Sequence, residues 1–324
     1  MAELANATGL GPVGRKPLEV RVLSPALVLA VLLLAASAQA SAKTEPEWVS
    51  ATPLPVARTE VAAARLNDEL VVLGGFLANG TSTDRVDAYS PRMARWRRLP
   101  DLPARVNHTM AATYRRHLYV VGGYGAERRG FAYFRGRWQA LPKLPAPRAA
   151  AGAAIVGRKL YVVGGVTIPG KLASRMLVFD LRTRRWSFAP GPSPREHLAV
   201  TAAGGLVYAL AGRSAGTNFT TFESYSPVAR RWRRLTPVPY PRGGTGAATL
   251  RGRIVSVGGE EARGTIASVY AYELATRRWA RLPDMRTPRH GLGVVAFRGS
   301  VWAIAGGPQP GLHVSSANEF LALP

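Results

Sequence analysis

An arginine recurs along this chain at Arg58, Arg105, Arg148, Arg195, Arg242 and Arg289, at gaps of 47, 43, 47, 47 and 47 residues. A guanidinium fork matches a carboxylate in shape and charge, so six at one level would form an anion-binding ring. The same side chains can instead bond loop carbonyls, because buried polar groups find partners. Beside each arginine the regularity breaks. The next position reads Thr59, Val106, Ala149, Glu196, Gly243 and His290, and the one after reads Glu60, Asn107, Ala150, His197, Gly244 and Gly291, with His108 one step further on. Three of the five histidines (His108, His197, His290) and two carboxylates (Glu60, Glu196) therefore gather at equivalent places. Imidazole beside carboxylate permits proton transfer or metal ligation, although no H-E-x-x-H or H-x-E-x-H spacing occurs. Tyr124, Ser214, Glu260 and Glu261 lie downstream in their own repeats and add to a polar pocket.

These residues need a scaffold, and the scaffold repeats. Tryptophans fall at Trp48, Trp96, Trp138, Trp186, Trp232 and Trp279, with gaps of 48, 42, 48, 46 and 47 residues. In step with them run Gly74-Gly75, Gly122-Gly123, Gly164-Gly165, Gly212-Arg213, Gly258-Gly259 and Gly306-Gly307. A period of this length marks a repeat architecture. Each unit reads as four short β-rich runs separated by turn residues, with no amphipathic helical stretch. Four-stranded units in a ring are the blades of a propeller. Small residues such as Ala62-Ala63-Ala64 suit innermost strands crowding an axis. Each tryptophan opens an outermost strand; burying one removes about 150–250 Å² from water, at most roughly 4–6 kcal/mol. The periodic tryptophans, and Trp302 off the beat, are therefore expected in the core between blades.

Tyr89, Phe179, Tyr225 and Tyr272 precede their tryptophans by seven residues and Tyr133 precedes Trp138 by five. A glycine doublet, an aromatic and a tryptophan at near-fixed spacing resemble the Kelch repeat. The resemblance covers residues 48–324 and implies an all-β, six-bladed Kelch-type β-propeller. The last repeat ends near Phe320, its aromatic marker, without its tryptophan, and Trp48 has no doublet before it. The strand around Trp48 is thus expected to join the C-terminal blade and close the ring, removing an open edge. Kelch adaptor proteins use arginines at the recurrent position to grip acidic peptides, so the resemblance implies a ligand at an arginine-lined channel mouth. No cysteine occurs, so disulfides and thiolate metal sites are excluded, as is the copper–tyrosine–cysteine centre of galactose oxidase-like relatives. No cofactor or metal is expected.

The organisation expected is residues 1–42 as an export segment and 43–324 as the propeller. Arg15, Lys16 and Arg21 precede an apolar run over 26–36 and the small-residue stretch Ser37-Ala38-Gln39-Ala40-Ser41-Ala42. That is the pattern of a secretory signal peptide; an uncleaved membrane anchor is the alternative and the expected route to membrane contact. A secreted or cell-envelope monomer is expected, and the Ala-, Gly-, Pro- and Arg-rich composition fits a GC-rich bacterial genome. The formal charge is +24. Much of it lies in turns around the tryptophans, such as Arg95-Trp96-Arg97-Arg98 and Arg230-Arg231-Trp232-Arg233-Arg234. Such charge favours anionic partners, but no nucleic-acid module is evident.

Three readings follow. The first is a non-enzymatic binding module for an anionic glycan or acidic protein segment, held by the arginine set with His108, His197, His290, Glu60 and Glu196. The second is a cofactor-free mutarotase or epimerase resembling the periplasmic sialic-acid Kelch mutarotases, for which Glu196, Arg195, His197, Glu60 and Glu260 are the catalytic candidates. The third is an envelope protein whose basic rim adheres to anionic polymers.

Overall fold

The computed structural model describes residues 46–323 apart from Pro169. The expected export segment lies outside these residues. Among them no helix occurs, hence none long and apolar enough to cross a membrane.

Six four-stranded antiparallel sheets follow one another as blades. Blade 1 is Ala62–Leu66, Glu69–Leu73, Val86–Ser90 and Arg95–Arg98. Blade 2 is Met110–Tyr114, His117–Val121, Gly130–Phe134 and Arg137–Ala140. Blade 3 is Gly152–Val156, Lys159–Val163, Arg175–Asp180 and Arg185–Pro190. Blade 4 is Ala199–Ala203, Leu206–Leu210, Phe222–Ser226 and Arg231–Arg234. Blade 5 is Gly246–Leu250, Arg253–Val257, Val269–Glu273 and Arg278–Leu282. Blade 6 takes Gly293–Phe297, Ser300–Ile304 and Asn318–Ala322 from the C-terminal end and Trp48–Ser50 from the N-terminal end, with Trp48 opposite Leu321. Short ribbons extend the loops of blades 3, 4 and 5, the last two being Arg213–Ser214 with Thr217–Asn218 and Glu260–Glu261 with Gly264–Thr265.

The core lies between blades. Second strands such as Glu69–Leu73 are almost wholly buried, and apolar residues of adjacent blades merge into shared clusters. Each outer-strand tryptophan also bridges blades by a hydrogen bond. Its indole Nε1–H donates to a carbonyl of the preceding blade: Trp96 to Thr52, Trp138 to Pro100, Trp186 to Pro142, Trp232 to Pro190, Trp279 to Thr236 and Trp48 to Pro283, all at 2.8–2.9 Å. In blades 1–5 the expected aromatic stands directly opposite the tryptophan, as Tyr225 does Trp232. Blade 6 differs: Leu321 faces Trp48, while Phe320 stacks on Trp302 with centroids 4.6 Å apart.

The glycine pair sits where the second strand meets the next blade. Its second N–H donates to the next blade's backbone, from Gly75 to Val106, Gly123 to Arg148, Gly165 to Arg195, Gly212 to Arg242, Gly259 to Arg289 and Gly306 to Arg58, at 2.8–2.9 Å. A Cβ at Gly75 would stand 2.5 Å from Thr59 O, at φ +98°, so only glycine fits there. This pattern corrects two assignments. Blades 4 and 6 fill the first position with Ala211 (φ 53°) and Ala305 (φ 59°), so the functional pairs are Ala211-Gly212 and Ala305-Gly306, one residue before the doublets expected from the sequence.

Candidate functional site

The arginine ring is internal, which corrects the expected anion-binding mouth. Arg58, Arg148, Arg195, Arg242 and Arg289 are at most 1 % exposed, and each bonds carbonyls of its own blade. Arg195 donates to Ser193 O, Ala209 O and Ala211 O and pairs with Glu223 at 2.7 Å. Arg289 repeats this with Thr287 O, Ala303 O, Ala305 O and Glu319. Arg58 pairs with Asp87 at 2.6 Å. Arg148 bonds Gly164 O and Arg175 O with no acid partner, and Arg242 bonds Gly258 O and Ser268. Burial pushes the Arg148 and Arg242 guanidiniums down to about 10, which leaves both charged at neutral pH. Arg105 does not belong to the set. Val106 takes the equivalent place, accepting from Gly75 N as the arginines accept from their glycines, while exposed Arg105 lies 3.8 Å from Asp84.

Two residues on from that ring comes a row with an atypical backbone. By bridge and hydrogen-bond pattern its members are Glu60, His108, Ala150, His197, Gly244 and Gly291. All six have φ between 50° and 62°, a region that disfavours side chains by roughly 1–2 kcal/mol. Backbone bonds link them blade to blade: His108 N to Glu60 O, Ala150 N to His108 O, His197 N to Ala150 O, Gly244 N to His197 O and Gly291 N to Gly244 O, with Val61 N to Gly291 O completing the circle. This belt fixes a polar cluster at one end of the central channel, over a cavity of about 150 Å³ otherwise walled largely by alanine, glycine and valine.

The structure brings together Glu60, Glu196, Glu260, His108, His197 and His290. His108 Nε2 is 3.1 Å from Glu60 Oε2 and 3.0 Å from His197 Nε2. His290 Nδ1 lies 3.3 Å from Glu60 and 3.5 Å from Glu260. Arg213, on the blade 4 ribbon, pairs with Glu260 and lies 3.6 Å from Glu196 and, through Nη2, 3.2 Å from His197 Nε2. Small residues on other blades make the room. A Cβ at Gly291 would stand 2.6 Å from Glu60 Oε1 and one at Gly307 2.5 Å from His290 Nε2. Tyr124 meets the edge of His108 with centroids 5.4 Å apart, whereas Glu261 bonds Tyr240 OH and faces elsewhere.

Burial dominates the electrostatics. It pushes His108 down to about 4 against the pull of Glu60, so that ring is neutral at pH 7. Burial alone would raise Glu60, but the surrounding histidines, His108 and His290 foremost, outweigh it and hold the carboxyl well below the usual range. Burial would likewise lower His290, yet Glu60, Glu260 and Gln309 O together raise it above its ordinary value. A hydrogen bond with His197 lowers Glu196.

A second concave feature lies between the outer parts of blades 4 and 5, a groove of about 690 Å³. Arg231, Arg233, Arg234 and Arg277 line it with Ser224, Ser226, Tyr208 and Tyr272. Three other rim arginines are neutralised, Arg97 by Glu69, Arg98 by Asp101 and Arg281 by Asp284, whereas among the described residues Arg95, Arg184, Arg185 and Arg278 also lack a carboxylate within 4 Å. Among the described residues none of the four groove arginines has a carboxylate within 4 Å.

Residues 61–238 and 135–307 each match the KLHDC2/KLHL20/DRC7 Kelch-repeats domain, and together they span well over half the chain. The chain belongs to the Kelch-repeat family. The Kelch propeller is typically a protein-interaction module. This one is 28 % identical over 200 residues to Kelch-like protein terF of Aspergillus terreus, covering 54 % of this chain and 44 % of that protein. It is also 35 % identical over 82 residues to human Kelch-like protein 33, covering 25 % and 15 % respectively. The chain thus spans less than half the length of these curated relatives.

Two sets of residues in this Kelch propeller escaped the sequence reading. The acids Asp87, Glu223 and Glu319 were not singled out, though they explain the arginines of blades 1, 4 and 6. Arg213 stood in the sequence reading only as the second member of the Gly212-Arg213 doublet, yet among the described residues it is the one guanidinium in the Glu–His cluster. Its signal was a cation at the residue after the glycine pair, where the other repeats carry Phe76, Tyr124, Val166, Glu260 and Gly307.

Proposed function

We propose that this Kelch propeller is an interaction module that docks an acidic segment of a protein partner in the blade 4–5 groove. The observation that carries the reading is uncompensated charge in a concave site. Four arginines line one concavity with two serines and two tyrosines, and none of the four has an acidic partner of the kind that Arg97, Arg98 and Arg281 have. Guanidinium forks take carboxylates bidentately, aromatic anchors are favoured at interfaces, and a net charge of +24 steers acidic partners to the surface. The earlier expectation of an anionic ligand is kept, but moved from the channel mouth to the rim. The N-terminal pattern supports export, and with it an extracellular or envelope partner.

The test is titration of the full chain with a glutamate-rich peptide and with an acidic polysaccharide, at low and high salt. Peptide binding that weakens at least tenfold in Arg231→Glu/Arg233→Glu, but not in Arg97→Glu, supports the reading. Equal binding by both variants refutes it, and binding of the polysaccharide alone would replace the protein partner by a glycan.

A further inference from the structure

We propose that Glu60, His108 and His197 form a divalent transition-metal site at the end of the propeller channel. Their ligand atoms all lie within 4.8 Å of one another. His108 Nε2 stands 3.0 Å from His197 Nε2 and 3.1 Å from Glu60 Oε2. Bonds of 2.0–2.2 Å to zinc imply ligand separations of about 3.3 Å in a tetrahedron, so the two contacts of His108 need open by only a few tenths of an ångström, while Glu60 and His197, no more than 4.8 Å apart, adjust by side-chain rotation.

The hydrogen-bond pattern around the trio points the same way. Asn107 Nδ2 donates to Ser82 Oγ, which turns Asn107 Oδ1 toward His108 Nδ1. His108 therefore carries its proton on Nδ1 and presents an Nε2 lone pair to the channel. His197 Nδ1 faces Glu196 Oε1 at 3.5 Å, and its Nε2 points at His108. Three acceptors then converge on one point, with Arg213 Nη2 the donor that reaches one of them, His197 Nε2, an arrangement a cation among them would relieve. The Asn107 oxygen behind His108 is the kind of partner that ligating histidines ordinarily have, fixing tautomer and orientation, and Glu196 stands near enough to His197 to serve in the same way.

The backbone adds a third observation. The three residues come from blades 1, 2 and 4 but share the positive-φ belt, which glycine occupies without strain in blades 5 and 6. Two histidines and a glutamate are held there against the backbone's preference, as is usual where strain serves a site. The belt's inter-blade hydrogen bonds keep the ligands in place before an ion arrives. Two imidazoles and a carboxylate suit zinc and its neighbours, and the fourth position opens on the channel cavity. Arg213 Nη2, 3.2 Å from His197 Nε2, donates to that nitrogen while no ion is bound. An incoming ion displaces this contact, and Arg213 stays anchored by Glu260. No local motif announces the site, because its ligands are 48 and 89 residues apart.

The experiment is a calorimetric titration of the full, chelator-treated chain with Zn²⁺, paired with Co²⁺ and visible absorption. One ion per chain is expected, with a cobalt d–d band of tetrahedral or five-coordinate type. His108→Ala and His197→Ala should each weaken binding by more than about 100-fold, Asn107→Ala by about 10-fold, and His313→Ala should leave it unchanged. Arg213→Met should tighten it by removing a neighbouring positive charge. Circular dichroism checks that each variant is folded, and Glu60→Gln, which keeps shape, serves if an alanine variant is not. The proposal is overturned if the wild type shows no saturable heat and no cobalt band, or if binding persists in both histidine variants.

Discussion

Replacing Arg195 by Val and Glu223 by Phe, singly and together, tests whether the recurrent arginine is an internal clamp. Blade 2 already carries the apolar version: Val106 stands at the arginine position and Phe131 at the acid position, as the shared register with Val72–Asp87 and Ala209–Glu223 shows. In blade 4, Arg195→Val strands the Glu223 carboxylate, 4 % exposed, and strips donors from Ser193 O, Ala209 O and Ala211 O. Breaking a buried pair costs about 3–5 kcal/mol, and each stranded carbonyl adds about 1 kcal/mol. The single variant should lose at least 5 kcal/mol, a fall of roughly 10–20 °C in Tm for a domain of this size. Glu223→Phe leaves Arg195 its three carbonyls but no counter-charge, and should lose about 3 kcal/mol. In the double variant no charge remains buried; the carbonyls and the altered volume leave a loss of about 4 kcal/mol. The cycle should therefore show a coupling of about 4 kcal/mol. Urea unfolding followed by tryptophan fluorescence measures it, with m compared across variants. Additivity within about 0.5 kcal/mol, or a wild-type midpoint for Arg195→Val, would sink the clamp and return the guanidinium to a ligand role.

Other outcomes follow from the same geometry. Arg148→Met should cost only about 1–3 kcal/mol, less than Arg195→Met, because no carboxylate is left behind; paired denaturant melts read the difference. Trp48→Ala removes a side chain 2 % exposed from the strand that completes blade 6, and should cost about 3–5 kcal/mol in one cooperative transition rather than as local fraying. Trp232→Phe keeps an aromatic ring beside Tyr225 but loses the bond to Pro190 O, a loss of about 1 kcal/mol or more in the same melts. By histidine NMR of chelator-treated protein, His290 should titrate above about 6.5 and His108 should stay neutral until about pH 4. The raised His290 contributes stability that is full below its unfolded pKa and lost as pH rises through the folded one. The depressed His108 contributes stability that is lost as pH falls below about 6.5 toward 4. Glu60→Gln should lower the His290 midpoint, and an unchanged midpoint would deny the ion pair.

The ring was legible because its determinants are local and periodic. A tryptophan, an aromatic seven residues earlier and a glycine with positive φ each report one blade, and six copies in phase leave little freedom in the count. The errors came from carrying one repeat's spacing into another. The tryptophan gaps of 48 and 42 residues around blade 2 already placed its arginine-equivalent at Val106, since 58 to 106 and 106 to 148 have the same lengths. Matching residue type instead of spacing selected Arg105. The same preference for type over register chose Gly306-Gly307 over Ala305-Gly306, and Phe320 over Leu321.

The site was legible in membership and not in role. Position alone gathered Glu60, His108, His197 and His290, because symmetry puts equivalent residues at one level of a channel. Whether a side chain near that level faces the channel or its own blade follows the backbone, and φ turns positive only two residues after the arginine position. The arginine turns inward to carbonyls of its own blade; Glu60 and His108 occupy the positive-φ position and turn to the axis. Burial then decides chemistry. An arginine buried against its own blade's carbonyls and acids is out of a ligand's reach, whereas two imidazoles and a carboxylate meet at the channel across 3.0–3.1 Å. The recurrent cation braces the blades from within, and the residues that break its symmetry are the ones that meet at the channel.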